Sequence, residues 1–208
     1  FVNDIFTMIK LLRSLGLDCR IKKKNSSIII NNEKQKIKSQ VAPYNLVKTM
    51  RAGVLVLGPI LNRYGKAKVS LPGGCAIGSR PVNLHLMALK KLGAKIKIKN
   101  GYIYASAPKK LTGARIKFPS ISVGATENAI LAAFGAKGKS ILTNCAIEPE
   151  VCDLINYLNR IGGKIKINGR TITVIGNSKV KKISYKVMFD RIELVTYMIA
   201  AGLTGKKI

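Results

Sequence analysis

Three segments of this chain are written to one plan, and that plan limits the fold more than any other feature. MIKLLRSLGLDCRIKKKNSSIII (8–30), LMALKKLGAKIKIKNGYIYA (86–105) and LINYLNRIGGKIKINGRTITV (154–174) each predict a helix that stops at a glycine, then a strand, a turn and a second strand. The helix faces agree in register. Ile5, Met8, Ile9, Leu12 and Leu15 share their spacing with Val82, His85, Leu86, Leu89 and Leu92, and with Val151, Leu154, Ile155, Leu158 and Ile161. Apolar residues recurring at intervals of three and four form one buried stripe, used three times. His85 takes a slot that Met8 and Leu154 fill elsewhere, so it is expected as a partly buried structural residue.

A second shared piece precedes each unit. Buried helices are expected from about Leu46 to Asn62 and from Glu127 to Ala136, followed by GKAKVS (65–70) and GKSILT (138–143). A further copy opens at FDRIELVTYMIAAGLTGKKI (189–208). Gly65, Gly138 and Gly205 correspond, giving a period of about 70 residues. That is too long for a solenoid repeat and fits an α/β (α+β) subdomain of two helices and several strands. By this count the chain opens inside one repeat and closes inside another, as part of a longer protein would.

The net charge of +28 raises the question of nucleic acid, but only nine of the 37 basic residues are arginines. The lysines also alternate with isoleucine in KIKIKNG (95–101) and KIKING (164–169), which predicts strands with a solvated lysine face. A nucleic-acid partner is therefore not expected. Gly53–Leu61, the most apolar stretch, is too short to span a membrane. The four cysteines show no metal-type spacing, which fits free thiols in a reducing cytoplasm with no metal or cofactor.

Chemistry is concentrated in the loops where the repeats diverge. LPGGCAIGSRP (71–81) holds Cys75 behind paired glycines, which permit a tight bend and close approach of a ligand to the backbone. Arg80 precedes a predicted helix, where a cation opposes the helix dipole unless an anion is shared with the free N–H groups. SISVGATENA (120–129) is a second such turn, with hydroxyls at Ser120 and Ser122 and a glycine at 124. It suits a phosphate and equally a plain helix cap. Arg51 is a charge in an apolar stretch and needs a partner. With Lys48 and Arg80 it could form a polyanion pocket and lower the thiol pKa of Cys75. Cys19, Cys145 and Cys152 are expected as small structural residues.

These residues resemble the motifs of the UDP-N-acetylglucosamine 1-carboxyvinyltransferases, a family of enolpyruvyl transferases. APYNLVKTMRAG (42–53), VSLPGGCAIGSRPVNLH (69–85), SVGAT (122–126), EPEVCD (148–153) and DRIE (190–193) match them in order. The sister shikimate-pathway enolpyruvyl transferases lack the cysteine loop. The resemblance implies an inside-out α/β domain of three related subdomains, with helices inside and sheets outside. Residues 1–189 would be most of one domain, lacking its first strand and helix, and 190–208 the start of the crossover into a second. It implies transfer of enolpyruvyl from phosphoenolpyruvate to the 3′-hydroxyl of UDP-N-acetylglucosamine, the first committed step of peptidoglycan synthesis, by a cytoplasmic enzyme.

Carried over residue by residue, Cys75 would be the proton donor that also forms an adduct with phosphoenolpyruvate. Arg51 and Arg80 would hold phosphate groups. Pro81, Val82, Asn83 and Leu84 would line the uridine site, and Ser120, Ile121, Ser122, Val123 and Gly124 would meet the diphosphate. Asn83 stands where the family commonly has aspartate, and Ser120 where it commonly has lysine. The family's Lys-Asn pair, aspartate base and further arginines would lie outside these residues, so the chain alone is expected to be inactive. A non-catalytic nucleotide-sugar-binding paralogue and an RNA-binding protein are the competing readings. The first has no need of a reactive thiol, and only the charge speaks for the second.

Overall fold

The computed structural model describes residues 3–22, 24, 26–31, 39–73, 81–176 and 179–205. Two complete units share one topology. The first runs β3 (Val41–Ala42), α2 (Tyr44–Val47), a 3₁₀ turn (Arg51–Val56), α3 (Leu57–Tyr64), β4 (Lys66–Ser70), α4 (Asn83–Lys91), β5 (Lys95–Lys99) and β6 (Tyr102–Ser106). The second runs β7 (Arg115–Lys117), α5 (Val123–Gly135), β8 (Lys139–Thr143), α6 (Pro149–Arg160), β9 (Lys164–Asn168) and β10 (Thr171–Ile175). Their sheets have equivalent orders, β3-β4-β6-β5 and β7-β8-β10-β9. In each the first pair is parallel across a helical crossover and the others are antiparallel. Before them, α1 (Asn3–Ser14), β1 (Asp18–Lys22) and β2 (Ser27–Asn31) supply only the last part of such a unit, and β1 and β2 pair as a two-stranded sheet.

The repeated glycines end the helices as the sequence predicts. Gly16, Gly93 and Gly162 adopt φ of 100°, 98° and 114°, left-handed conformations that a side chain would strain. Asn100 and Gly101 close the β5–β6 hairpin with positive φ at both positions, the geometry that matches strand twist. The apolar stripe is buried along α4 and α6. In α1, Ile5 is exposed and Leu11 occupies the core instead. The lysines of β5 and β9 face outward, but Ile98 and Ile167 are exposed as well. Both strands are sheet edges, and these residues lie toward the hairpin tips.

The long helix expected over 46–62 is broken. Met50 is extended (φ −146°, ψ 113°), a 3₁₀ turn follows, and α3 begins only at Leu57. Pro59 then falls in the first turn of α3, where its missing N–H costs no intrahelical bond. The second expected helix starts four residues earlier than predicted, because Ser122 caps it by accepting from Ala125 N (3.4 Å).

α5 lies at the centre, with Ala125, Ala129, Ile130, Ala132 and Ala133 all fully buried. Its alanines let α3 approach closely. A Cβ on Gly58 would lie 2.9 Å from Asn128 Oδ1 and 3.1 Å from Ala132 Cβ. Gly58→Ala should therefore destabilise the fold by about 1–2 kcal/mol, overpacking outweighing the gain in helix propensity. A denaturation midpoint equal to wild type would show that the helices part freely there.

Candidate functional site

Gly73 fixes where the chain passes the end of α2 on its way from β4. A Cβ there would collide with the Lys48 carbonyl oxygen, so only glycine lets the backbone pass the end of α2. Arg51 opens the 3₁₀ turn three residues after Lys48. Residues 74–80, with Cys75 and Arg80, lie outside the described residues. The chain is described again at Pro81, which is exposed, and at Val82, which is buried and precedes the first turn of α4.

The N-terminal ends of α4 and α5 meet side by side. A Cβ on Gly124 would lie 3.3 Å from His85 Cε1 and 3.5 Å from its Nε2. Neither helix has an acidic residue in its first turn, so the partial positive charge of both ends is left unopposed there. Asn83, Ser120 and Ile121 are exposed around this junction, while Leu84, Ser122, Val123 and Gly124 are half-buried. Lys48 is exposed, its ammonium 5.1 Å from the centre of the Tyr44 ring.

His85 is only 7% exposed. Burial, and then the Arg51 guanidinium, lower its pKa to about 4, so the ring is neutral at neutral pH. Its Nδ1 lies 3.2 Å from Asn128 Nδ2, which also donates to Val54 O at 3.3 Å. Asn128 is fully buried. It goes beyond the residues expected at the site, although a polar residue inside the alanine-rich run ENAILAAFGA carries the same signal as Arg51, a polar group that burial obliges to find partners.

The remaining thiols are covered as expected. Cys19 and Cys145 are buried, and Cys152 is half-buried with its Sγ 3.6 Å from Ile147 O. Burial raises the pKa of Cys19, and raises that of Cys145 to about 11. Among the described residues no cluster of His, Cys, Asp or Glu suits a metal ion. No described helix is long and apolar enough to cross a membrane.

Comparison with known proteins is consistent along the whole chain. Residues 2–208 match the family described as EPSP synthase (3-phosphoshikimate 1-carboxyvinyltransferase). A UDP-N-acetylglucosamine 1-carboxyvinyltransferase of Pelagibacter ubique (strain HTCC1062) is 59% identical over 204 residues, covering 98% of this chain and 48% of that protein. One from Ruthia magnifica is 52% identical over 208 residues, covering all of this chain and 49% of the relative. The chain thus spans about half the length of the curated relatives it matches. Among solved structures, the enolpyruvyl transferase NikO from Streptomyces tendae superposes with a TM-score of 0.81 at 19% identity, over 94% of this chain and 46% of that one. EPSP synthase from Acinetobacter baumannii gives 0.74 at 17% identity, over 97% and 45%. The α/β enolpyruvyl-transferase fold that the resemblance implies is thus the fold class of these neighbours.

Proposed function

The chain belongs to the EPSP synthase family of enolpyruvyl transferases, and on that premise we propose that the protein carrying it transfers enolpyruvyl from phosphoenolpyruvate to the 3′-hydroxyl of UDP-N-acetylglucosamine. One observation carries the choice of acceptor: relatives bearing that activity in their name share 52–59% of its residues across essentially its whole length. In the forward step a proton is added to C3 of phosphoenolpyruvate while the sugar oxygen bonds to C2, giving a tetrahedral ketal. Loss of phosphate from C2 and of a proton from the methyl group then restores the double bond.

In this reading Cys75 donates the proton and can itself add to C2. Arg51 and Arg80 hold phosphate groups, and the paired ends of α4 and α5 receive the nucleotide, with Pro81, Val82, Asn83 and Leu84 at the uridine. Ser120, Ile121, Ser122, Val123 and Gly124 lie at the diphosphate, where the Ser122 turn and the positive end of α5 suit an anion. The base lies in the part of the protein beyond this chain. Residues 1–189 are read as most of one domain and 190–208 as the crossover to another, working in the cytoplasm. The exposed apolar residues of α7 (Arg191–Thr204), among them Ile192, Val195, Ile199 and Leu203, support that boundary.

The test is phosphate release by the longer protein that requires both substrates; release with neither dependence on UDP-N-acetylglucosamine nor transfer of the enolpyruvyl group would sink the reading. Arg80→Ala should lower kcat/KM by about 1.5–3 kcal/mol, the worth of a charge-assisted bond, or roughly ten- to hundredfold. Arg80→Lys should restore only part, lacking the planar fork. An unchanged kcat/KM in the alanine variant would remove Arg80 from the site.

A further inference from the structure

We propose that Asn128 is a positioning residue: it fixes the tautomer of His85, so that the imidazole beside Gly124 is a neutral donor with its single proton on Nε2. Val54 O lies 3.3 Å from the terminal nitrogen of Asn128 and can only accept, so the amide must present its NH₂ group and not its oxygen on that side. That nitrogen has two hydrogens. One goes to Val54 O, and the second points to His85 Nδ1 at 3.2 Å. Nδ1 must therefore carry a lone pair, and the ring proton is left on Nε2.

Nε2 faces the start of α5, where a Cβ on Gly124 would lie 3.5 Å away. Among the described residues it has no hydrogen-bond partner. The opposite edge of the amide shows what this arrangement costs: Asn128 Oδ1 is buried and accepts no hydrogen bond. An apolar residue of the same size would leave no such orphan, but it would also leave Nδ1 without a donor. Val54 belongs to the same 3₁₀ turn as Arg51. One short element thus supplies both the guanidinium whose charge opposes protonation of the ring and the carbonyl that orients the amide. The outcome is a donor at the α4–α5 junction that adds no second positive charge beside Arg51. Its use in the reaction rests on the enolpyruvyl-transfer reading, whereas the tautomer does not.

His85 is the chain's sole histidine, so nitrogen-15 NMR reads it without ambiguity. The 208-residue wild type should show the proton on Nε2 at neutral pH. In Asn128→Asp the carboxylate accepts from the ring, so the proton should move to Nδ1 and the titration midpoint should rise by about two units or more. A wild-type ring protonated at Nδ1 overturns the proposal without any variant being needed. So does a folded Asn128→Asp with tautomer and midpoint unchanged. In the longer protein, kcat/KM of Asn128→Asp should gain an ionisation between about pH 6 and 8 that wild type lacks, with KM for the nucleotide sugar raised about tenfold and kcat moved less. A profile parallel to wild type overturns the positioning role even where the tautomer is as stated. Absence of enolpyruvyl transfer in the wild type would instead overturn the proposed function and leave the NMR result standing.

Discussion

An epoxide phosphonate given in limiting amount at neutral pH should alkylate Cys75 before any other thiol of the protein, and Cys75→Ala should lower kcat/KM by about 10²–10⁴-fold, the usual worth of a general acid. The contrast among the thiols is what makes this testable. Only a thiolate attacks such an electrophile. Cys145 is fully buried with a pKa pushed up to about 11, so only about one molecule in ten thousand is ionised there at pH 7. Cys19 is 1% exposed and also raised, despite the nearby Arg13, because burial outweighs that charge. Cys152 is half-buried with its sulfur directed at Ile147 O, which makes it the informative control. Cys75 stands two residues after Gly73, whose backbone passes the Lys48 carbonyl, and five before Arg80 in the sequence. Cys75→Asp keeps a group able to carry the proton while removing the sulfur. It should therefore retain more activity than Cys75→Ala and escape alkylation at that position. Mass mapping after brief treatment decides: modification of Cys19, Cys145 or Cys152 as fast as Cys75 would reduce the loop to a turn and end the catalytic assignment.

What could be read from the sequence was whatever a short-range rule encodes. The glycines at 16, 93 and 162 mark helix ends because positive φ is penalised in every other residue, and the structure has them at 98–114°. The stripe of α4 and α6 was legible because burial repeats with the helical period. The break between 46 and 62 was not, since apolar composition is the same for a continuous helix and for a 3₁₀ turn followed by a helix; Pro59 was the local mark of it. The converging ends of α4 and α5 join residues 85 and 124, and no pattern within either segment states that they touch. The same holds for Asn128, whose partners Val54 and His85 are 74 and 43 residues away. Repeats tell which elements recur, while the junction of α4 and α5 is made by the non-local packing of one unit against the next.

Glu127→Gln should match wild type in relative stability near pH 4 and exceed it by about 2–3 kcal/mol near pH 8. Glu127 is half-buried on α5, and its pKa is pushed from 4.5 up to about 7, first by burial and then by the Glu150 carboxylate. Glu150 is itself held below its ordinary range by Arg191, which donates to it from Nε and Nη2 at 3.0 Å each. It is therefore already charged when Glu127 titrates. Because the folded pKa is raised, the unfolded chain releases this proton first, and stability falls as pH rises between 4.5 and about 7. At 1.36 kcal/mol per unit the loss is about 3 kcal/mol, reduced somewhat because the carboxyl is not wholly shielded from water. His85 works in the opposite sense. Its pKa is lowered from 6.5 to about 4, so the unfolded state binds the extra proton and stability rises with pH across that window. The two windows overlap between 4.5 and 6.5 with similar magnitude, so in wild type the two slopes nearly cancel there. Glu127→Gln should expose the histidine's rising slope, and His85→Gln the falling slope of the carboxyl. Denaturation midpoints of the three proteins at about pH 4, 5.5 and 8 resolve both; a Glu127→Gln advantage that is the same at all three values would mean the carboxyl ionises in the folded protein as readily as in the unfolded one.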